Sequence, residues 1–230
     1  MTLQVVNWTN AGVGIRISLG ANDDLLVGRD GLIASTDGAA SVYGADSNHT
    51  VRVEGTISGA MGIYLGGIQS LDSNERVVIA ATGVVTCEHE GIYFSASASH
   101  ILNYGLIDSE LYAIHLRGEG NGATEIRNAG VIHGGTVGIF AAVFEALAIR
   151  NTGEISGGTF SVLGAGGNDF LRNSGQILGD VSFGSGNDTY DGRGGSIEGA
   201  IFGDDGDDMF RPGLGIETIN GGTGWDTLDF

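Results

Sequence analysis

Apolar residues in this chain come in short, β-branched runs separated by glycine, asparagine and serine. Ala148-Ile149-Arg150, Glu154-Ile155-Ser156 and Ser161-Val162-Leu163 are three such runs in succession. Each sets an aliphatic residue between polar or small neighbours, the pattern of a half-buried strand. The runs are too short for helices, and each interrupting glycine would cost about 1 kcal/mol inside one. The one helix-like stretch, Ala141 to Ala148, reads as a loop followed by a strand.

The runs also repeat. Gly-x-(Ile/Val) recurs with its glycine at 31, 55, 83, 105, 130, 153, 175 and 195. Three copies are openly related: Arg127-Asn128-Ala129-Gly130-Val131-Ile132, Arg150-Asn151-Thr152-Gly153-Glu154-Ile155 and Arg172-Asn173-Ser174-Gly175-Gln176-Ile177. A unit of this length, with three short strands and no helix, cannot bury its own apolar face. Stacked on its neighbours at about 4.8 Å, it lines up its inward Ile, Val and Leu in a continuous column. The expected fold is all-β: a right-handed parallel β-helix, or solenoid, of about nine coils and on the order of 40 Å long. Asn103, Asn128, Asn151 and Asn173 share one repeat position and are expected to form a structural ladder, with Asp191 continuing it in a shifted register. Asparagine suits such a place because it tolerates left-handed turns and bonds its own backbone.

Composition agrees with an ordered, turn-rich chain. Forty-three glycines with the single proline Pro212 exclude collagen, and 41% apolar residues exclude wholesale disorder. The formal charge is −18, from 28 acids and ten arginines with no lysine, which makes nucleic acid an unsuitable partner. Cys87 has no thiol partner in the chain and is expected to pack as a small apolar residue. No apolar run approaches the roughly 18 residues of a membrane span, and Met1 to Gly20 lacks the pattern of a signal peptide. Export would then use another signal, such as a C-terminal one beyond Phe230.

The charge gathers in four related loops. These are Gly164-Ala165-Gly166-Gly167-Asn168-Asp169, Phe183-Gly184-Ser185-Gly186-Asn187-Asp188, Gly203-Asp204-Asp205-Gly206-Asp207-Asp208 and Gly221-Gly222-Thr223-Gly224-Trp225-Asp226. The fourth place is always glycine, the sixth always aspartate, and the eighth is Leu171, Tyr190, Phe210 or Leu228. Spacings of 19, 20 and 18 residues put one aspartate on each coil, along one edge. At about 4.8 Å and an effective dielectric near 20, neighbouring carboxylates repel by about 3.5 kcal/mol before salt screening. That is large beside a total stability of roughly 5 to 15 kcal/mol, so a cation is expected between them. Calcium suits carboxylates flanked by glycine-loop carbonyls, since it takes six to eight oxygens in flexible geometry. Zinc would call for nitrogen or sulfur, and this region has no His or Cys.

The pattern is G-G-x-G-x-D-x-U-x, and Gly164 to Phe230 resembles the hemolysin-type calcium-binding repeat of RTX proteins. The last copy matches throughout, whereas the second begins with Phe183. The resemblance implies that each ion sits between adjacent loops, held by their carbonyls and sixth-place aspartates. The expected site is therefore Asp169, Asp188, Asp208 and Asp226 with Gly164, Gly166, Gly167, Gly184, Gly186, Gly203, Asp205, Gly206, Gly222 and Gly224. Four loops leave three gaps, hence about three calcium ions. The opposite edge, Asn173 to Val181, Gly192 to Ala200 and Pro212 to Asn220, has no aspartate at its sixth places, so a single column is expected rather than the two edges of a typical RTX β-roll. Gly20 to Leu26 and Gly44 to His49 read as eroded relatives without neighbours to share an ion.

Residues 1–163 are thus expected to be metal-free coils, continuous in one solenoid with the calcium-loop coils of 164–230. The first reading of function is a secreted structural or adhesive calcium-binding module. An alternative is a polysaccharide-acting enzyme of lyase or C5-epimerase type, or its carbohydrate-binding module. Tyr64, Tyr93, His115 and Phe140, each one residue beyond an inward Ile, would form an outward ladder for carbohydrate or a protein partner, with Arg117 nearby to supply charge. Ordinary aromatic stacking between coils explains the same ladder. His89, His100 and His133 fall at unrelated repeat positions and form no evident metal set.

Overall fold

The alternation of inward aliphatic and outward polar residues is realised as a stack of parallel strands. The computed structural model describes residues 1–67, 72–117, 122–142 and 146–230, and among them all regular structure is β. One face is an eleven-stranded parallel sheet, from Leu3–Val6, Asp24–Val27 and Thr50–Val53 through to Thr227–Leu228. The remaining strands form a second sheet that bends into two further faces. From the first strand to Ala200–Phe202, nine turns contribute segments to all three faces, so the solenoid has the expected number of coils. No described helix is long and apolar enough to cross a membrane.

The core is a set of one-residue-per-coil columns. On the second face Ile33, Ile57, Val85, Ile107, Ile132, Ile155 and Ile177 are paired in register and have no exposed surface. Burying each such side chain stabilises by about 1.5 to 3 kcal/mol, which holds the register against slippage. Cys87 is buried in the same core, and burial pushes its thiol up to about 12.

The recurring glycines form a column of their own at the corner between the first and second faces. A Cβ on Gly130 would overlap the carbonyl oxygen of Gly105, one on Gly153 that of Gly130, and one on Gly175 that of Gly153. These glycines are required by the close approach of successive backbones. Beside them runs the asparagine ladder, fully interior. Asn103, Asn128 and Asn151 each donate through Nδ2 to the Oδ1 of the next asparagine, at 2.8, 2.8 and 2.9 Å. Each Oδ1 also accepts from a glycine amide two residues on, as Asn128 does from Gly130 at 3.2 Å, so these buried amides are satisfied.

Asp191 does not continue this ladder. Its register partner is Arg172, which places Gly192 in line with Asn173. A Cβ on Gly192 would overlap the Tyr190 hydroxyl, so that ring already fills the space an asparagine would need. Asp191 instead pairs with Arg193 at 2.8 and 2.9 Å, which holds its carboxyl at about 2.

A further departure concerns strand limits. The second and third runs of the seventh coil are one strand, Glu154–Leu163, whose register shifts between Ser156 and Phe160. Its first half pairs with Val131–Gly134 and its second with Val137–Ala141, and this double pairing carries the strand through Gly157 and Gly158. The helix-like stretch is flanked by strands Val137–Ala141 and Leu147–Asn151, while 143–145 lie outside the described residues. At the C-terminal end the second face stops at Ser196–Ile197, so the turn of Met209–Arg211 and Thr218–Asn220 carries two faces and Thr227–Leu228 only one.

The glycine column generates a direct test. Gly153→Ala is expected to lower stability by about 1 to 3 kcal/mol in denaturant unfolding, because its methyl must displace a backbone carbonyl. Gly38→Ala, where nothing lies within 4 Å of the added carbon, is the control and is expected to change stability by less than about 0.5 kcal/mol.

Candidate metal centre

Register brings the four glycine-aspartate loops directly over one another. Residues at the seventh place pair in sequence, Phe170 with Thr189, Thr189 with Met209 and Met209 with Thr227. At the third place, isolated parallel bridges join Gly166 to Ser185, Ser185 to Asp205 and Asp205 to Thr223. The sixth-place aspartates lie between these ties and share their alignment.

The glycine positions follow from backbone geometry. Fourth-place Gly167, Gly186, Gly206 and Gly224 have φ of 91, 134, 143 and 129°, in the region that favours glycine. A Cβ on Gly186, Gly206 or Gly224 would also overlap the carbonyl oxygen of the fourth-place glycine one coil earlier. Second-place Gly184 and Gly222 have φ of 94 and 100°, and Asp204 takes the same place with φ 70°. Asp204 Oδ2 accepts from Ser182 Oγ at 2.6 Å and from the Gly184 amide at 3.3 Å, which offsets that strain.

Each aspartate uses one oxygen to hold the column. Oδ1 of Asp169 accepts from the Leu147 amide at 2.8 Å, and Oδ1 of Asp188 accepts from the Asp169 amide at 2.7 Å. The step repeats from the Asp188 amide to Asp208 at 2.7 Å and from the Asp208 amide to Asp226 at 3.1 Å. The other oxygens are left over: Oδ2 of Asp188 and Oδ2 of Asp208 are buried without a hydrogen-bond partner. Asp169, Asp188 and Asp208 are 5, 2 and 2% exposed. Burial pushes the Asp169 carboxyl up to about 8 and that of Asp188 up to about 6, and raises Asp208, with the next aspartate adding to each shift.

The second oxygens of Asp208 and Asp169 lie beside loop carbonyls. A Cβ on Gly203 would overlap both Asp208 Oδ2 and the Gly221 carbonyl oxygen, so these two oxygens flank one small space that glycine leaves open. At Gly164 the corresponding pair is Asp169 Oδ2 and the Phe183 carbonyl oxygen. Orphaned carboxylate oxygens beside carbonyls are the donor set a hard, oxygen-seeking cation takes. Among the described residues no three His, Cys, Asp or Glu side chains converge on a metal-sized point. Each space here is flanked by one carboxylate oxygen and one backbone carbonyl oxygen of the following coil.

Two features of this edge were not evident in the sequence. Fifth-place side chains form a second ladder: Asn168 Oδ1 accepts from the Asn187 amide at 2.9 Å, Asn187 Oδ1 from the Asp207 amide at 2.9 Å and Asp207 Oδ1 from the Trp225 amide at 2.8 Å. Recurrence of Asn, Asn and Asp at the fifth place is the signal that marks it. The sixth-place line also runs up the whole solenoid. Pairing of Asp24 with Thr50, Thr50 with Arg76 and Arg76 with His100 puts Asp23, His49, Glu75 and Ser99 in the same line. The upstream loops therefore do have neighbours, contrary to the sequence expectation: the Asn22 amide donates to Ser47 O and the Asn48 amide to Ser73 O, each at 3.2 Å. Loops whose lengths differ hid this alignment.

The aromatic ladder forms on the third face, and Tyr43 extends it. Tyr43, Tyr64, Tyr93, His115 and Phe140 pair in register. Their rings contact one another, Tyr64 stacking on Tyr93 at 4.5 Å and His115 on Phe140 at 4.9 Å. His115 Nδ1 lies 2.7 Å from Glu90 Oε1, and its Nε2 is buried without a partner. A separate concavity of about 590 Å³ opens on the second face, bordered by Glu88, Asp108, Glu110 and His133.

In the cation-free protein the buried aspartates tie stability to pH. Unfolded, these carboxyls titrate near 3.8, whereas in the fold Asp169 and Asp188 hold their protons to about 8 and about 6. Their contribution is therefore full below about pH 4 and is lost as pH rises through that window. Thermal melts of metal-stripped protein are expected to fall from about pH 4.5 to pH 8, and Asp169→Asn is expected to flatten the slope. A steeper slope in that variant would contradict the assignment.

No protein-family model matches this chain, and neither the curated proteins nor the solved structures contain a match to it.

Proposed function

We propose that the chain is a secreted calcium-binding structural or adhesive module, a β-solenoid whose C-terminal coils are completed by calcium held between the Gly164 to Phe230 loops. The observation that carries this reading is the pair of partnerless buried oxygens, Asp188 Oδ2 and Asp208 Oδ2, in a column of like charges. A buried, unpaired carboxylate is costly, and a divalent cation answers both the desolvation and the repulsion between coils. Asp169, Asp188, Asp208 and Asp226 would hold the ions together with carbonyls of the glycine loops, about three ions in all. The glycine-aspartate motif resembles the RTX repeat, which supports calcium over other cations and suggests type I-like export. Extracellular calcium modules work at roughly 10⁻⁴ to 10⁻³ M, a range that matches a secreted protein.

The ladder from Tyr43 to Phe140 is the surface on which a carbohydrate or protein partner would dock. Its rings spend their faces on one another, which favours a scaffold over a polysaccharide-acting enzyme.

Calcium bound only by the folded state adds about 2.7 kcal/mol per site at a hundredfold excess over Kd, which is on the order of 5 to 10 °C in Tm for a chain of this size. Melts in excess calcium and in excess chelator at neutral pH are expected to differ by at least that much. Asp188→Asn keeps the shape but removes a charge, so it is expected to match or exceed the wild type in chelator and to lose most of the calcium gain. Equal wild-type melting temperatures in calcium and in chelator would sink the proposal.

A further inference from the structure

The upstream part of the sixth-place line holds a buried ion pair where the downstream part holds only acids. His49 and Glu75 sit on adjacent coils of this line, and both side chains are fully buried. His49 Nδ1 lies 2.9 Å from Glu75 Oε2, and Nε2 lies 3.1 Å from the Gly20 carbonyl oxygen on the preceding coil. The His49 amide also donates to Glu75 Oε2 at 3.1 Å, the same coil-to-coil step that the aspartates make. The imidazole lies against Gly44, the first place of its loop, with Cε1 3.0 Å from where a Cβ would be. In the Gly203 loop that place belongs to Asp208 Oδ2.

The contacts determine the protonation state. A backbone carbonyl can only accept, so Nε2 must carry a proton. Nδ1 faces a carboxylate that already accepts an amide, so a second proton lies between Nδ1 and Oε2. The pair therefore holds one proton more than a neutral histidine beside a free carboxylate. Without it, Glu75 would be a buried anion facing a ring lone pair, with its Oε1 already partnerless.

We propose that the His49–Glu75 pair is a proton-operated lock on the N-terminal coils, the imidazolium serving as an internal cation in the line that runs on to the aspartates. The inference does not depend on whether the other end takes calcium. The charged groups on the surrounding coils are Asp23 and Asp24 before the pair, Asp46 in the His49 loop, and Asp72, Arg76 and His100 after it. Burial opposes the positive ring, but the Glu75 contact, followed by the Gly20 carbonyl and Asp46, raises its affinity for the proton above that of an ordinary histidine, and burial raises the Glu75 carboxyl as well. A histidine held protonated by the fold stabilises it fully below its unfolded value near 6.5, and that contribution is lost as pH rises through the folded value.

The test is a ring-nitrogen NMR titration of the full chain, with amide exchange followed over the same pH range and corrected for intrinsic rates. His49 is expected to remain doubly protonated at pH 7. Amides of Thr50–Val53 and Arg76–Ile79 are expected to exchange at least tenfold faster once His49 deprotonates, in calcium and in chelator alike. Glu75→Gln is expected to lower the proton affinity of His49 at least tenfold, and it keeps the test open if His49→Gln fails to fold. A His49 ring that is neutral at pH 6.5, or protection that is unchanged across its titration, overturns the lock. Calcium dependence confined to 164–230 bears on the metal reading alone.

Discussion

Every coil in this protein must lie on the one before it, backbone against backbone, at the spacing of parallel strands. The glycine column shows how strict this is, since the carbonyl of one glycine occupies the space of the next one's missing Cβ. Stacking at one residue per coil means that a side chain meets its own equivalent above and below. Repetition is favourable for some chemistries and adverse for others. Isoleucines fill a core column, asparagines donate to one another in a closed ladder, and aromatic rings stack.

Aspartate is the adverse case. A column of carboxylates repeats its charge as faithfully as isoleucine repeats its bulk, and the chain has only ten arginines against 28 acids. One oxygen of each carboxylate is absorbed by the amide of the coil before, which fixes the column in place without neutralising it. The remaining oxygens of Asp188 and Asp208 are left buried without a hydrogen-bond partner. Structure and proposed function are linked here by the same spacing that builds the core.

The sixth-place line answers the same problem differently along its length. Downstream it is all acidic, and midway it passes through uncharged Ser99, Thr124 and Leu147, aligned by the pairing of His100, Glu125 and Ala148. Upstream it sets His49 against Glu75, both fully buried. Such a division gives the two ends of one continuous pair of sheets different buried groups, a histidine and a glutamate at one and a run of aspartates at the other.

Strand character, the coil stack, the interior asparagines and the one-sided line of aspartates follow from the sequence by itself. They depend on a pattern that recurs at nearly constant spacing, and a recurring pattern in a stack implies alignment. What escaped the sequence were contacts between coils of unequal length. The glycine spacing varies from 20 to 28 residues, and only the folded chain shows how each excess is absorbed in a loop. Hence the placing of His49 over Gly44 and beside Glu75, the extension of the aromatic row to Tyr43, and the displacement of Asp191 by the Tyr190 hydroxyl were decided by tertiary structure. Residues distant in the chain become neighbours there through register, which local composition does not encode.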